Sequence, residues 1–144
     1  ERPDFLREAA RAFGSQCIVV SIEAKRNETG WEAMTNNGRE HSRRRVVDWA
    51  VEAQELGAGE LLVTSVDQEG TRQGFDLELF RKVHSSVKIP VIGCGGAGTV
   101  DHVVSAARAG VADALCCASI FHFKLAPIEE VKSALIRAGI EVRP

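Results

Sequence analysis

The chain has 144 residues, with 18 basic against 20 acidic side chains, a formal net charge of −2, 44 % apolar residues and 26 % charged ones. A domain averages roughly 100–200 residues, so residues 1–144 are expected to form a single domain. The apolar content excludes disorder, the near-neutral charge argues against a nucleic-acid or membrane-surface partner, and no apolar run approaches the ~18 residues of a membrane span.

No secretory leader is visible, and Glu1 in place of a Met reads as a processed or cut start. A complete (β/α)8 barrel needs about 200–250 residues and is therefore excluded as well.

In chain order, residues 4–12 read as a helix and Cys17-Ile-Val-Val-Ser-Ile22 as a buried strand. A short β-rich piece around Trp31–Thr35, closed by Asn36-Asn37-Gly38, reads as a hairpin excursion. A helix is expected over 43–56, with Ser42 as its N-cap, Gly57 as its stop and Val46, Val47, Ala50, Ala53 and Leu56 as its apolar stripe. Strand 61–66, helix 76–85, strand 90–94, helix 99–109 and strand 113–118 follow. The last helix has Pro127 at its first position, Glu129 and Glu130 in its first turn, and Gly139 at its end.

Uncharged strands followed by helices predict four parallel βα units buried on both faces, with right-handed crossovers. Gly57–Ser65 and Gly110–Ser119 share one pattern, a glycine, small residues, an acid, a strand and a serine. Spaced two units apart, they favour a ring built by duplication over an open doubly wound sheet.

Ligands of parallel α/β folds sit beyond the carboxyl ends of the strands. Those ends carry Glu23-Ala24-Lys25-Arg26, Asp67-Gln68-Glu69-Gly70-Thr71, Cys94-Gly95-Gly96-Ala97-Gly98 and Ala118-Ser119. Glycines allow close backbone approach to a phosphate, and helix N-termini favour anions, so the last two loops predict a phosphate site. Tight turns for helix packing are the plainer explanation of the same glycines. Glu23 is the candidate general acid or base, against an ion pair with Lys25 or Arg26. Asp67 and Glu69 either orient ligand hydroxyls or brace their loop, and Lys25 reads as solvated or paired.

The four histidines (His41, His84, His102, His122) lack metal-ligand spacing and read as structural, so neither a metal nor a cofactor is expected. Arg43-Arg44-Arg45 opposes the dipole of a helix starting there, and reads as an exposed turn of paired arginines more than an anion contact. Cys17, Cys94, Cys116 and Cys117 show no C-x-x-C spacing. They are expected as buried, reduced thiols, which implies a cytoplasmic protein.

Taken together, F-G-S-Q-C-I-V-V-S-I-E-A-K-R, L-G-A-G-E-L-L-V-T-S-V-D-Q-E-G-T-R-Q-G-F-D-L-E-L, I-P-V-I-G-C-G-G-A-G-T and A-S-I-F-H-F resemble the cyclase subunit of imidazole glycerol phosphate synthase. The resemblance runs in register along the chain and covers the C-terminal half of that subunit, strands five to eight. It implies a (β/α)4 half-barrel of TIM-barrel type, expected to pair into a barrel-like assembly. It also implies a lyase of histidine biosynthesis that uses ammonia from a glutaminase to split and cyclise a phosphorylated ribulosyl aminoimidazole nucleotide.

By that resemblance Glu23 holds the strand-five catalytic position, where the family usually has Asp. Glu69 replaces an Asp and Cys94 a Ser, and Ser42-Arg43 stands where Thr-Gly is common. Gly70, Gly95, Gly96, Ala118 and Ser119 match phosphate-contact positions, and Glu60 matches an ammonia-gate position. The implied partners are the phosphorylated substrate, a glutaminase and an N-terminal half-barrel, while the uncovered inner face and edges of four strands predict a homodimer or other even-numbered assembly. Two further readings of the residues are a non-catalytic phosphate-binding or self-assembling half-barrel, and a divergent amidotransferase-linked cyclase with another substrate.

Overall fold

Val20, Ile22 and Ala24 are buried and alternate with the more exposed Val19, Ser21 and Glu23, the period of a strand with one covered face. In the computed structural model, which describes residues 2–143, this is β1 (Val19–Asn27). Before it come α1 (Asp4–Phe13) and a 3-10 turn (Ser15–Cys17); β2 (Gly30–Thr35), β3 (Glu40–Arg45) and α2 (Val46–Glu55) come after. The chain continues through β4 (Glu60–Ser65), α3 (Leu77–His84), β5 (Val91–Cys94), α4 (Val100–Ala109), β6 (Ala114–Cys116), α5 (Ser119–His122) and α6 (Ile128–Arg137). Glu1, the unusual start, lies outside the described residues.

The strands form one sheet in the order β3-β2-β1-β4-β5-β6. β1, β4, β5 and β6 are parallel neighbours, while β2 and β3 add to the far side of β1 as an antiparallel hairpin. This is an α/β fold of half-TIM-barrel type with a hairpin inserted after its first strand.

The main core lies between the sheet and the helices of one face. Val20, Ile22, Leu61, Val63 and Val91 of the strands meet Val46, Ala50 and Ala53 of α2 and Leu79, Phe80 and Val83 of α3. A second cluster joins Val103 of α4, Ile120 of α5 and Val131 of α6. Asp76 and Thr99 cap α3 and α4 through their side chains, as their position before each apolar run predicts.

The expectation of strands buried on both faces is corrected. On the other face Val19, Ser21, Glu23, Glu60, Leu62, Thr64, Ile92, Cys94, Ala114 and Cys116 are half-buried or exposed. Four strands present half of the wall that a closed ring would line, so the face is left largely open, with the hairpin turn reaching over Glu23. The same geometry corrects the expected burial of the thiols: Cys116 is exposed and Cys94 half-buried on that face, Cys117 is half-buried, and Cys17 is exposed in the 3-10 turn rather than in a strand.

The helix expected over 43–56 starts at Val46, and Ser42 is not its cap. Ser42 and the three arginines belong to β3 and its junction with α2, with the Ser42 hydroxyl bonded to the Ala33 carbonyl of β2. Three cations at the positive end of a helix are unfavourable; with the helix starting later, Arg44 pairs with Glu52, Arg45 lies near Asp48 and the Arg43 backbone N–H donates to Glu32.

Candidate functional site

Strand register places four polar or sulfur-bearing side chains in one row. Glu23 of β1 pairs with Thr64 of β4, Thr64 with Cys94 of β5, and Cys94 with Cys116 of β6. Residues two apart share a face, so this row continues the Ser21–Leu62–Ile92–Ala114 row on the uncovered side. A carboxylate, a hydroxyl and two thiols thus line the carboxyl ends of the parallel strands.

Glu23 was expected to end its strand, and this is corrected: β1 continues through Asn27, because Glu23 to Asn27 pair with β2. Glu23 does end the stretch facing outward from the parallel part, since β1 pairs with β4 only from Val19 to Ala24. The hairpin turn folds over it. A Cβ placed on Gly38 would lie 3.3 Å from Glu23 Oε2 and 3.3 Å from Val66 Cγ2, a tight fit, and the φ of 76° favours glycine where the turn closes on the carboxylate.

The alternative partner Arg26 is engaged elsewhere, with Glu78 at 3.0 Å and Asp76 at 3.5 Å. Lys25 is exposed, and no ion pair joins it or Arg26 to Glu23 among the described residues. Asp67 braces the loop after β4, accepting a 2.7 Å bond from the Arg26 backbone N–H.

The two loops after β5 and β6 meet in one small cleft. Glu69, Cys94, Gly95, Gly96, Ala97, Cys116, Ala118 and Ser119 line it. Glu69 enters from the loop after β4, its Oε2 accepting from Cys94 Sγ at 4.0 Å. The glycines also have a packing role: a Cβ on Gly96 would lie 1.9 Å from the Gly74 carbonyl oxygen, whose own N–H donates to Gly96 O at 2.8 Å. Gly70 lies in the neighbouring turn, outside the cleft lining. Burial, and next the adjacent Cys116, push the Cys94 thiol up to about 11, with the neighbouring Thr64 hydroxyl opposing the shift. Burial likewise raises Cys117 to about 11.

Glu60 stands at the opposite end of β4, beside Val19 and half-buried. It shares a face with Leu62 and Thr64, about 13 Å from Thr64 at roughly 3.3 Å per residue. Glu23, the cleft and Glu60 are thus three separate stations on one sheet face.

The histidines are dispersed. His41 bonds Glu32 at 3.0 Å, His84 lies 3.4 Å from Asp113, His102 Nδ1 accepts from the Gly98 N–H at 3.3 Å, and His122 packs edge-on against Phe123. No three metal-ligating side chains cluster among the described residues. Arg44 pairs with Glu52 and stacks over Trp49, and Arg45 lies 3.9 Å from Asp48. Roomier clefts occur between α1 and the hairpin, beside Leu6, Met34 and Trp49, and between α4, β6 and α6. Neither opens at the row.

Thr64 and Cys116 are members of the row that sequence reasoning passed over. Counting by twos from Glu60, or back from Cys94 through the parallel register, would have found both. Also unforeseen is a latch beneath the hairpin. Trp31 Nε1 donates to buried Asp76 at 3.0 Å, and the Arg26 guanidinium stacks 4.2 Å over the Trp31 ring.

A family model described as histidine biosynthesis protein matches residues 1–127. Imidazole glycerol phosphate synthase subunit HisF of Gluconacetobacter diazotrophicus is 49 % identical over 143 residues, covering 99 % of this chain and 55 % of that protein. The chain spans about half the length of the curated relative it matches. No helix among the described residues is long and apolar enough to cross a membrane.

Proposed function

The chain belongs to the histidine biosynthesis protein family, and from that premise we propose that it is the C-terminal half-barrel of an ammonia-using cyclase, residues 1–144 acting as one domain. The observation that carries this reading is the Glu23–Thr64–Cys94–Cys116 row, at the strand ends where parallel barrels hold their ligands.

Glu23 is the proton-transfer group of this half. Its carboxylate, half-buried under the hairpin turn and free of a basic partner among the described residues, takes and returns a proton at the reacting carbon framework. The second acid or base comes from another half, either an N-terminal half-barrel or the Glu23 of a second copy. The cleft of Glu69, Cys94, Gly95, Gly96, Ala118 and Ser119, with Gly70 beside it, takes a phosphate group of a ribulosyl aminoimidazole nucleotide. Glu60, on the far end of the same face, stands where ammonia from a glutaminase enters, and the working location is the cytoplasm.

The half-wall and its open edges support pairing. β1 has no strand neighbour beside Val19–Ile22 on its hairpin side among the described residues, and β6 is a three-residue edge. A homodimer, with uncovered faces together, is the expected state of the chain alone.

An ammonia-dependent cyclase assay tests the reading, run on the chain alone and after adding an N-terminal half-barrel, with mass measured by light scattering. Activity that appears on addition, and a dimer in its absence, are expected. No activity in either case, or a monomer at micromolar concentration, would overturn it.

A further inference from the structure

Cys94 and Cys116 are direct lateral neighbours on adjacent parallel strands, with both side chains on the uncovered face. Adjacent strands run about 4.8 Å apart, inside the roughly 4.4–6.8 Å Cα separation that a disulfide spans. The two residues line the same small cleft, side by side. Cys117, next in the chain, faces the opposite side and packs with the α4–α6 cluster. Of the four cysteines, this pair alone has register, face and cleft in common.

We propose that Cys94 and Cys116 form a peroxide-oxidisable dithiol, a modification site whose disulfide weakens phosphate binding in the cleft. The consequence for phosphate rests on the phosphate reading above; the dithiol itself stands on strand register and the shared cleft. The exposed Cys116 reacts first. Its sulfur attacks hydrogen peroxide, an S–O bond forms, the O–O bond breaks, and hydroxide leaves to become water. Burial raises the Cys94 thiol to about 11, which keeps it protonated until the sulfenic acid is beside it. Cys94 sulfur then attacks Cys116 sulfur, the S–S bond forms, and the departing hydroxide carries off the Cys94 proton as water. Two thiols and one peroxide give one disulfide and two waters, with two electrons passing from sulfur to peroxide.

The link to the cleft runs through Glu69. Cys94 Sγ–H is the donor to Glu69 Oε2, and the disulfide removes that proton. The carboxylate is left without this donor beside the loops that would hold an anion, and the bridge ties the roots of both loops together. Edge-strand bridges in exposed positions are readily reduced, so a dithiol reductant restores the open form.

The test uses Cys17→Ser and Cys117→Ser together, leaving only the pair. After limited hydrogen peroxide, thiols are blocked and tryptic peptides mapped; cleavage after Lys88, Arg108 and Lys124 puts Cys94 on 89–108 and Cys116 on 109–124. The expected result is a cross-link of these two peptides within one chain, abolished by dithiothreitol and absent in Cys94→Ser. Cys116 over-oxidised with Cys94 still free, or cross-links only between chains, overturns the dithiol.

Thermal shifts with inorganic phosphate form the second arm. The phosphate concentration for half the shift should rise at least tenfold on oxidation. An unchanged value overturns the coupling. No shift even in the reduced form overturns the phosphate reading and the coupling with it, while the peptide map still decides the dithiol.

Discussion

Glu23 and Thr64 are direct partners in the β1–β4 ladder, and both face the uncovered side of the sheet at the last shared step but one. Ala24 and Ser65, one step on, face the helices and are fully buried. The carboxylate therefore sits at the rim of the parallel wall, beyond which β1 belongs to the hairpin.

Position at that rim makes the chemistry of residue 23 testable by two substitutions. In the cyclase assay with an N-terminal half present, Glu23→Gln should lower kcat by roughly a hundredfold or more, the scale of a lost acid–base group. Glu23→Asp keeps the carboxylate, shortens its reach by one methylene and should retain activity. Equal activity of Glu23→Gln and the parent chain would remove Glu23 from the reaction.

Gly96 and Gly70 both have positive φ, 99° and 74°, but differ in their surroundings. A Cβ on Gly96 would meet the Gly74 carbonyl at 1.9 Å, whereas nothing lies within 4 Å of one on Gly70. Gly70→Ala should cost only the left-handed strain of about 1–2 kcal/mol. Gly96→Ala should cost more than about 3 kcal/mol, because backbone must also move. Urea unfolding of the two variants measures the difference.

Asp76 serves three donors, the Leu79 N–H at 3.1 Å, Trp31 Nε1 at 3.0 Å and the Arg26 guanidinium at 3.5 Å, from a side chain only 8 % exposed. Asp76→Ala removes a helix cap and strands a buried indole N–H, and should destabilise by about 2–4 kcal/mol. Trp31→Phe alone should cost less, and a double-mutant cycle should show positive coupling. Additive effects would mean that the hairpin does not depend on this latch.

Glu32 ties the hairpin strands together through His41 at 3.0 Å and the Arg43 N–H at 2.7 Å. The bond from His41 first, and then that from Arg43, hold its carboxyl below the ordinary 4.5. A depressed carboxylate contributes stability above its unfolded value and loses it as pH falls through the folded one. The Tm gap between the parent chain and Glu32→Gln should thus shrink as pH drops below about 4.5. A gap that widens on acidification would contradict the assignment.

The βα alternation was legible because Leu61, Val63, Val91 and Phe80 report burial against helices directly in their periodicity. β3 was not, since His41-Ser42-Arg43-Arg44-Arg45 has no apolar alternation and its strand state comes from bonds to Ala33 and Glu32, made only after the turn closes. The exposure of the thiols was hidden for a different reason. Cys94 and Cys116 occupy positions a closed ring would bury, so their sequence surroundings describe an interior that four strands cannot enclose. Among site residues, Glu23, Glu69, Gly95 and Ser119 stood out by chemistry at strand ends. Thr64 emerges by counting along β4 from Glu60, and Cys116 only when β5 and β6 are aligned.

The hairpin after β1 has one more consequence. By pairing with Glu23 to Asn27 it occupies the carboxyl-end portion of that edge and leaves only the four residues Val19–Ile22 open. Any strand that adds there meets β2 as a physical stop and cannot slide further along. A slip of one residue would reverse which face every side chain shows. The inserted ribbon therefore works as a ruler: it limits the stagger with which this half can join another, before a single side chain of the partner has been read.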